Sequence, residues 1–299
     1  MRSTFDLTQL RNGFSDPTTR VMFSSRAARA TVRIERAALT PCGPGSILFE
    51  VGANDEITGH AWGEGADWLW ERATKLAARH QRCVLSEEFF SHHRTVSQAL
   101  RTSGLLHLPA TESPYHEILP AILGQRITAA QAHAQWRRLC DTYGEAAPGP
   151  LNLRLPPTPE RLKMIPSWEF HQLGIEEQRA RTLHTAARYA DYVDRTRDFS
   201  GPQAREALLK LPGIGVWTAA ATVGISHGDP DALPVGDFHV KNTVAWALAG
   251  RARGTDEEMI ELLHPYDGQR WRVVRMLESS GFSAPRYGPK RRLFDVARL

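Results

Sequence analysis

The stretch LKLPGIGVWTA, Leu209 to Ala219, joins two apolar segments through one proline and two glycines. Before it, Pro202 to Leu211 carries alanine and leucine at helical spacing, and Val216 to about Ile225 is a second apolar segment. Pro212 cannot continue a helix, and Gly213 accepts a positive φ at a helix end. The stretch therefore predicts a helix, a tight hairpin and a second helix.

This predicted helix-hairpin-helix, at about residues 203–226, is suited to binding an anion. The N-terminus of a helix has free main-chain N–H groups, and neither Gly213 nor Gly215 has a side chain that would block an approaching group. A nucleic-acid phosphate is the anion that fits such a surface best. The alternative is an ordinary helix connection that contacts nothing, because glycine is common in turns.

A carboxylate follows 22 residues after Gly215 (237 − 215), in the loop LPVGDFHV, residues 233–240. Asp237 stands directly before an apolar helix that begins near Val240. Asp is among the best helix-capping residues, so a purely structural cap is one interpretation of this position. A catalytic acid is the other.

Taken together, LPGIGVWTA followed by LPVGD resembles the helix-hairpin-helix/Gly-Pro-Asp superfamily of DNA glycosylases, which is named for this order of hairpin, loop and acid. The segment SPYHEILPAILGQRITAAQAH, Ser113 to His133, also resembles that family, in which the glutamine-containing loop enters the minor groove. The resemblance covers roughly residues 113–281 and is nearest to the bacterial 3-methyladenine DNA glycosylase II (AlkA) type. It implies a glycosylase of base-excision repair that flips alkylated purines out of the duplex and hydrolyses their N-glycosidic bond.

The resemblance also assigns roles to individual residues. It implies that Asp237 is the catalytic carboxylate and that Trp217 forms a wall of the base pocket, although packing of the second hairpin helix is an alternative for Trp217. Contacts with DNA are expected for a larger set: Gln125, Arg126 and Thr218 from the resemblance, Gly213 and Gly215 at the hairpin, and Lys210 and Lys241 by their positive charge. The main-chain carbonyls of Leu211 and Ile214 are implied as ligands of a monovalent cation.

Three places depart from relatives in ways that bear on the chemistry. Bifunctional relatives have a nucleophilic lysine where this chain has Trp217, so the resemblance implies a monofunctional enzyme without lyase activity. The late helix, Trp271 to Leu277, has no tryptophan at the matching place of the alkyl-base pocket. Arg126 stands where the best-known relative has an apolar wedge. The alternative for Arg126 is a surface arginine that contacts a phosphate or an acid such as Glu117.

The remaining sequence predicts an α+β protein with two domains. Residues 1–108 contain short alternating segments, at 30–36, 46–51 and 57–62, that predict a small antiparallel sheet followed by a helix. Residues 109–299 predict an all-α glycosylase core. The charged tail, with Arg286, Lys290, Arg291 and Arg292, offers further candidate phosphate contacts.

Composition agrees with a DNA-binding protein. The formal net charge is +4 and the isoelectric point is about 9.1, which suits a polyanionic partner such as double-stranded DNA. Cys42, Cys83 and Cys140 are far apart, so neither a zinc site nor an iron–sulfur cluster is expected, and no cofactor is predicted beyond the hairpin cation. The start lacks a signal peptide, which favours a cytoplasmic location. The protein is expected to be a monomer.

Two other functions remain open on sequence alone. The same scaffold could act on a deaminated or oxidised base. Alternatively, the chain could be a non-catalytic helix-hairpin-helix DNA-binding protein in which Asp237 only caps a helix.

Overall fold

The computed structural model describes residues 3–24, 31–52, 56–80 and 86–285. The charged tail from Arg286 onward and Cys83 lie outside the described residues. The strands are β1 (Ser3–Phe5), β2 (Thr19–Ser24), β3 (Thr31–Thr40), β4 (Gly43–Val51), β5 (Ile57–Gly63) and β6 (Leu105–His107). Strands β2 to β5 form an antiparallel sheet in that order, while β1 pairs with β6 in parallel.

The antiparallel sheet confirms three predicted strands and adds one. Strands β3, β4 and β5 cover the segments at 30–36, 46–51 and 57–62 within the described residues. Strand β2, with the sequence TRVMFS, was not predicted. Along the register, Val21 pairs with Ile34 and Ile34 with Phe49, so apolar side chains align on one face. That face packs on the helices that follow the sheet.

The helices fill the chain after the sheet. Two short ones are α1 (Ala66–Glu71) and α2 (Ala73–Leu76), and α3 is Arg94–Ser103. The next six are α4 (Pro114–Leu123), α5 (Ala129–Tyr143), α6 (Pro159–Met164), α7 (Ser167–Gln172), α8 (Glu177–Arg188) and α9 (Ala190–Arg195). The last five are α10 (Gly201–Leu208), α11 (Val216–Ser226), α12 (Phe238–Ala249), α13 (Asp256–Leu263) and α14 (Arg270–Ser279). No helix in the described ranges is long and apolar enough to cross a membrane.

Capping residues place these helices where the sequence predicts them. Thr128 caps α5 in a reciprocal box with Gln131, and Thr158 caps α6 by accepting from the Arg161 N–H. The apolar positions Leu183, Ala187, Ala190 and Val193 predict one helix over residues 176–195, which is wrong as a single element. Tyr189, with φ −106° and ψ 26°, ends α8, and α9 continues in a new direction that brings the Tyr192 hydroxyl to the carbonyl of Ala207 at 3.0 Å.

Two hydrophobic cores meet at the middle of the helical region. One core joins α4 to α11, with Ile118, Trp136 and Leu183 fully buried in it. The second joins α12, α13 and α14 to α3 and β6, so residues 90–108 share a core with the last third of the described chain. The boundary between two domains at residue 108 stays a prediction from the sequence. The hairpin helices belong to the first core and the helix after Asp237 belongs to the second.

A buried ion pair fixes the sheet to the helical region. The Arg36 guanidinium on β3 donates to the Glu117 carboxylate on α4 at 2.6 Å, and both side chains are almost fully buried. Burial raises the pKa of the Glu117 carboxyl, while the charge of Arg36 opposes that shift. Since Glu117 is committed to Arg36, it is not the partner of Arg126.

Candidate active site

The helix-hairpin-helix forms as the sequence predicts, from α10 through the turn at 209–215 to α11. Leu211 and Ile214 anchor the turn, because both are buried and the Ile214 N–H donates to the Leu211 carbonyl at 3.1 Å. Gly213 and Gly215 stay exposed at its tip. The first turn of α11 therefore presents its N–H groups to solvent, beside two residues that have no side chain.

The two glycines of the hairpin are required for different reasons. Gly213 has φ +84°, and a Cβ placed there would lie 2.4 Å from the Thr182 Oγ1 of α8. Gly215 has φ −97° and ψ −180°, which any residue adopts, and a Cβ there would meet nothing within 4 Å. Gly213 therefore serves the fold, whereas Gly215 keeps the surface clear.

Gln125 joins the loop between α4 and α5 to the hairpin. Its Nε2 donates to the Gly213 carbonyl at 3.0 Å and to the Thr218 Oγ1 at 2.9 Å. The structure thus brings together three of the residues that are expected to contact DNA. Thr218 is buried, so its hydroxyl positions Gln125.

Trp217 lies between that loop and Asp237. Its Nε1 donates to the Asp237 Oδ2 at 2.9 Å, while a Cβ added to Gly124 would come within 2.9 Å of the ring atom Cη2 at the other end. The indole therefore spans the gap between α4 and the start of α12. Packing and pocket wall, the two interpretations of Trp217, are both compatible with this position.

Asp237 caps α12 with only one of its two oxygens. Oδ1 accepts from the main-chain N–H groups of His239 at 2.7 Å and Val240 at 3.0 Å. Oδ2 accepts from Trp217 and faces away from the helix end. Three N–H donors thus hold a half-buried carboxylate in one orientation, and the N-terminus of α12 favours its negative charge. Oδ1 therefore caps α12, and Oδ2 is the oxygen that could face a substrate.

Asp256 fixes the loop that carries Asp237. Its Oδ1 accepts from the Gly236 N–H at 3.0 Å, and its Oδ2 accepts from the Lys241 Nζ at 3.0 Å. Gly236 has φ +92°, a conformation that favours glycine. Lys241, a candidate DNA contact from the sequence, therefore forms an ion pair with Asp256 in the structure. A contact with DNA stays a prediction for Lys241, as it does for the exposed Lys210.

Arg126 occupies the tip of the loop after α4. It is exposed and has φ +59°, a left-handed backbone conformation that is uncommon for residues other than glycine. Within the part of the chain that the structure describes, no acid forms an ion pair with it. Its guanidinium is therefore available to an external group.

Two residues near Asp237, Phe238 and Glu278, were not singled out from the sequence. Phe238 is 61% exposed and its ring meets the ring of His239 edge-on at 5.2 Å between centroids. Burial raises the pKa of the Glu278 carboxyl on α14, with Arg275 opposing the shift and the charge of Asp237 adding to it. An exposed aromatic directly after a loop acid was the available signal for Phe238. The position of Glu278 depends on tertiary packing.

The hairpin offers main-chain carbonyl oxygens to a cation. Among the described residues, no group of three or more His, Cys, Asp or Glu side chains could hold a metal ion. In the hairpin, the Gly213 carbonyl is taken by Gln125, and the Leu211 carbonyl accepts from Ile214. Neutral carbonyl oxygens on a turn are ligands of the kind that hard cations take.

Comparison with protein families identifies the region that contains this site. Residues 119–266 match the model of the HhH-GPD superfamily base excision DNA repair protein. The match contains the Gln125 loop, the hairpin with Trp217, and Asp237.

Two relatives share sequence with part of the chain. DNA-3-methyladenine glycosylase 2 of Escherichia coli is 32% identical over 118 residues, which are 38% of this chain and 41% of that protein. The probable bifunctional transcriptional activator/DNA repair enzyme AlkA of Mycobacterium tuberculosis is 29% identical over 141 residues, 45% of this chain and 27% of that protein. The chain thus matches less than half the length of either relative.

Solved structures show the same fold at lower identity. The 3-methyladenine DNA-glycosylase from Archaeoglobus fulgidus superposes with a TM-score of 0.69 at 17% identity, covering 86% of this chain and 87% of that one. The Clostridium acetobutylicum 8-oxoguanine glycosylase/lyase, in complex with double-stranded DNA containing cytosine opposite 8-oxoG, gives 0.58 at 12% identity, covering 88% and 99%. The α+β architecture is confirmed.

Proposed function

Because residues 119–266 belong to the HhH-GPD superfamily of base excision DNA repair proteins, we propose that the protein is a monofunctional DNA glycosylase. It acts as a monomer on double-stranded DNA and hydrolyses the N-glycosidic bond of alkylated purines of the 3-methyladenine type. The observation that carries the proposal is the 2.9 Å bond from Trp217 Nε1 to Asp237 Oδ2, which puts an aromatic face and an oriented carboxylate in one cleft.

The first step is extrusion of the damaged nucleotide, because the glycosidic bond is out of reach inside a duplex. Unstacking costs on the order of a few kcal/mol. The hairpin N–H groups beside Gly215 bind a phosphate near the flipped nucleotide and fix the backbone. Gln125 and Arg126 enter the space from the other side. A monovalent cation on the carbonyls of Leu211 and Ile214 would add positive charge beside that phosphate.

The second step is departure of the base. The sugar becomes positively charged as the bond to C1′ breaks, and a fixed carboxylate stabilises that cation without having to reorganise. Asp237 is suited to this step because its N–H donors hold it in place before the substrate binds. Water then adds to C1′, since Trp217 offers no nucleophile.

Substrate choice follows from the aromatic surfaces at the cleft. An alkylated purine carries positive charge, and the face of an indole attracts a cation. Trp217 forms one wall, and the exposed ring of Phe238 stands beside the acid. The sequence similarity to a DNA-3-methyladenine glycosylase supports this class of base. The shared fold with an 8-oxoguanine enzyme keeps an oxidised base as the second candidate.

Release of free base from DNA is the direct test. Incubation with DNA treated with a methylating agent should release methylated purines, whereas DNA containing uracil, hypoxanthine or 8-oxoguanine should not be a substrate. Release only from the latter substrates would move the assignment to another lesion. No release from any of them, with binding retained, would favour a non-catalytic DNA-binding protein.

The absence of a lysine at position 217 predicts that no covalent intermediate forms. Borohydride reduction during turnover should trap no protein–DNA adduct, because an indole cannot form a Schiff base with C1′. A relative with lyase activity, run in parallel, provides the positive control. A trapped adduct would contradict the monofunctional assignment.

The bridge between Lys241 and Asp256 predicts a positioning role for both residues. Asp256→Ala should slow base release at saturating DNA more than Lys241→Met. Both variants lose the Lys241–Asp256 ion pair, but only Asp256→Ala also loses the hydrogen bond to the Gly236 N–H. The salt dependence of DNA binding should remain unchanged in Lys241→Met. If instead the slope of log K against log salt falls by about one unit, Lys241 contacts a phosphate.

Arg126 is predicted to fill the gap that the flipped nucleotide leaves. Its stem can pack on base faces while the guanidinium stacks or pairs with the orphaned base. Arg126→Ala should therefore slow excision of a lesion in a paired duplex much more than excision from an unpaired bulge, where the duplex is already open. Equal losses on the two substrates, with a lower salt slope, would assign Arg126 to a phosphate.

A further inference from the structure

A groove of about 350 Å³ lies between the N-terminal segment and the helical region, away from Asp237. It runs between residues 14–20, the outer end of α5 at residues 137–141, and the loop at residues 152–154. We call this the basic groove, because Arg20, Arg137 and Arg154 line it. The site described above uses none of these residues.

The positive charge in the basic groove is only partly neutralised. Arg20 is bonded to Glu35 at 3.0 Å. Arg137 and Arg154 form no ion pair with any acid in the described ranges. Arg137 reaches the Ser15 hydroxyl at 3.5 Å, and Arg154 donates to the main-chain carbonyl of Asp141.

The two acids of the groove do not cancel this excess. Asp16 is buried, and its oxygens accept from the Thr18 main-chain N–H and the Trp136 indole N–H, among others. Asp141 is exposed and has no ion pair among the described residues. The accessible part of the groove therefore carries two arginines against one acid.

An exposed aromatic ring stands at the rim of the groove. Phe14 is 94% exposed, and the Arg11 guanidinium lies over its ring at 4.5 Å. A phenylalanine in water has no stabilising contact on its free face. The Phe14 ring, with Arg11 on one side of it, can pack on a sugar of a nucleic acid while Arg137 and Arg154 reach the neighbouring phosphates.

Helix α5 connects the basic groove to the DNA-contacting loop. Its accessible stripe runs through Ala130, His133, Arg137 and Asp141, at spacings of three and four residues that keep one face. The helix begins directly after the Gln125–Arg126 loop. At a rise of about 1.5 Å per residue, Arg137 lies about 12 Å from the start of α5, which corresponds to roughly three to four base pairs along a duplex.

We propose that the basic groove binds the sugar–phosphate backbone of the duplex flanking the lesion, about three to five base pairs from the flipped nucleotide. The inference rests on the proposed function only in placing the lesion at Asp237. It gives the N-terminal segment a role in substrate binding. Arg137 and Arg154 each contact one phosphate, and Phe14 packs against the adjacent sugar.

The test compares duplexes whose flanks differ in length. Each carries one tetrahydrofuran abasic analogue, with 15 base pairs on both sides, or with one side shortened to two, in each orientation. Arg137→Ala/Arg154→Ala should weaken binding to the full duplex by about tenfold or more near physiological salt and reduce the salt slope by about two. Arg137→Ala alone should reduce the slope by about one.

The shortened duplexes locate the effect. On one of them the double variant should bind as tightly as the unchanged protein, because the flank no longer reaches the groove. The matched control is Arg101→Ala/Arg188→Ala, which removes the same charge from exposed positions elsewhere and should leave the slope unchanged. Melting temperatures of both double variants should match that of the unchanged protein.

Three results would overturn the proposal: equal losses on full and both shortened duplexes, an equal loss in the control variant, or no loss at all. Base release by the unchanged protein from methylated DNA is measured in the same preparation. If the unchanged protein releases no base but the salt slope still falls in the Arg137→Ala/Arg154→Ala variant, the glycosylase assignment is rejected and the DNA-binding role of the basic groove is retained. If the unchanged protein releases base but the groove substitutions do not change DNA binding, only the DNA-binding role of the basic groove is rejected.

Discussion

Asp237→Asn is expected to bind lesion-containing DNA normally and to release base on the order of 10³-fold more slowly. Asparagine is as good a helix cap as aspartate, so its side-chain oxygen still accepts from the N–H groups of His239 and Val240. The fold and the start of α12 are therefore preserved. What disappears is the negative charge that faces the developing cation at C1′, together with the acceptor of the Trp217 N–H, because the amide NH2 of asparagine takes the place of Oδ2. Single-turnover release of base at saturating enzyme measures this loss.

Two variants separate the charge from its surroundings. Trp217→Phe removes the N–H donor to Oδ2 but keeps an aromatic face and the charge, so its loss should be much smaller than that of Asp237→Asn. Glu261→Gln removes a carboxylate charge from the exposed surface of α13 and serves as the control for long-range electrostatics. If a well-folded Asp237→Asn protein releases base at nearly the normal rate, Asp237 is a cap and the catalytic acid lies elsewhere.

Gly215→Leu is expected to lower DNA affinity by more than about tenfold without lowering thermal stability. The backbone there has an ordinary φ of −97°, and a side chain would project into open space. That space is where a phosphate must approach the N–H groups of α11, so a leucine blocks the ligand and disturbs nothing else. Binding to an abasic duplex, together with the melting temperature, measures both effects.

Gly213→Ala is the matched variant and should behave in the opposite way. Its φ of +84° is strained for alanine, and the new Cβ would press on Thr182, so the free energy of unfolding should fall by about 1–3 kcal/mol. Loss of stability in Gly215→Leu would show that the hairpin tip packs against another part of the protein. Unchanged affinity in a folded Gly215→Leu protein would contradict phosphate binding at the hairpin.

Local sequence signals were sufficient for the elements of the site. Pro212 and Gly213 stop a helix by backbone chemistry alone, and Thr128 announces the start of α5, so both could be placed without tertiary information. Strand β2 carried no such signal, because its partner is found only when the sheet forms. The break at Tyr189 likewise depends on how α9 packs against α10.

The relations between site residues needed the structure. Neither the bridge from Gln125 to the hairpin nor the one from Lys241 to Asp256 can be derived from spacing, since their partners are 88 and 15 residues away. The sequence makes Lys241 a candidate phosphate contact because of its positive charge. The structure shows a nearby carboxylate that takes up this charge first. Interactions of this kind depend on which loops meet, and sequence periodicity does not contain that information.

The bond between Trp217 and Asp237 crosses from one hydrophobic core to the other, because α11 belongs to the first and α12 to the second. The cleft therefore exists only while the two cores remain docked. Each core can keep its helices when this docking loosens, so helix content alone is a poor measure of whether the enzyme is intact. We therefore expect base release to be lost at a lower temperature than helix content.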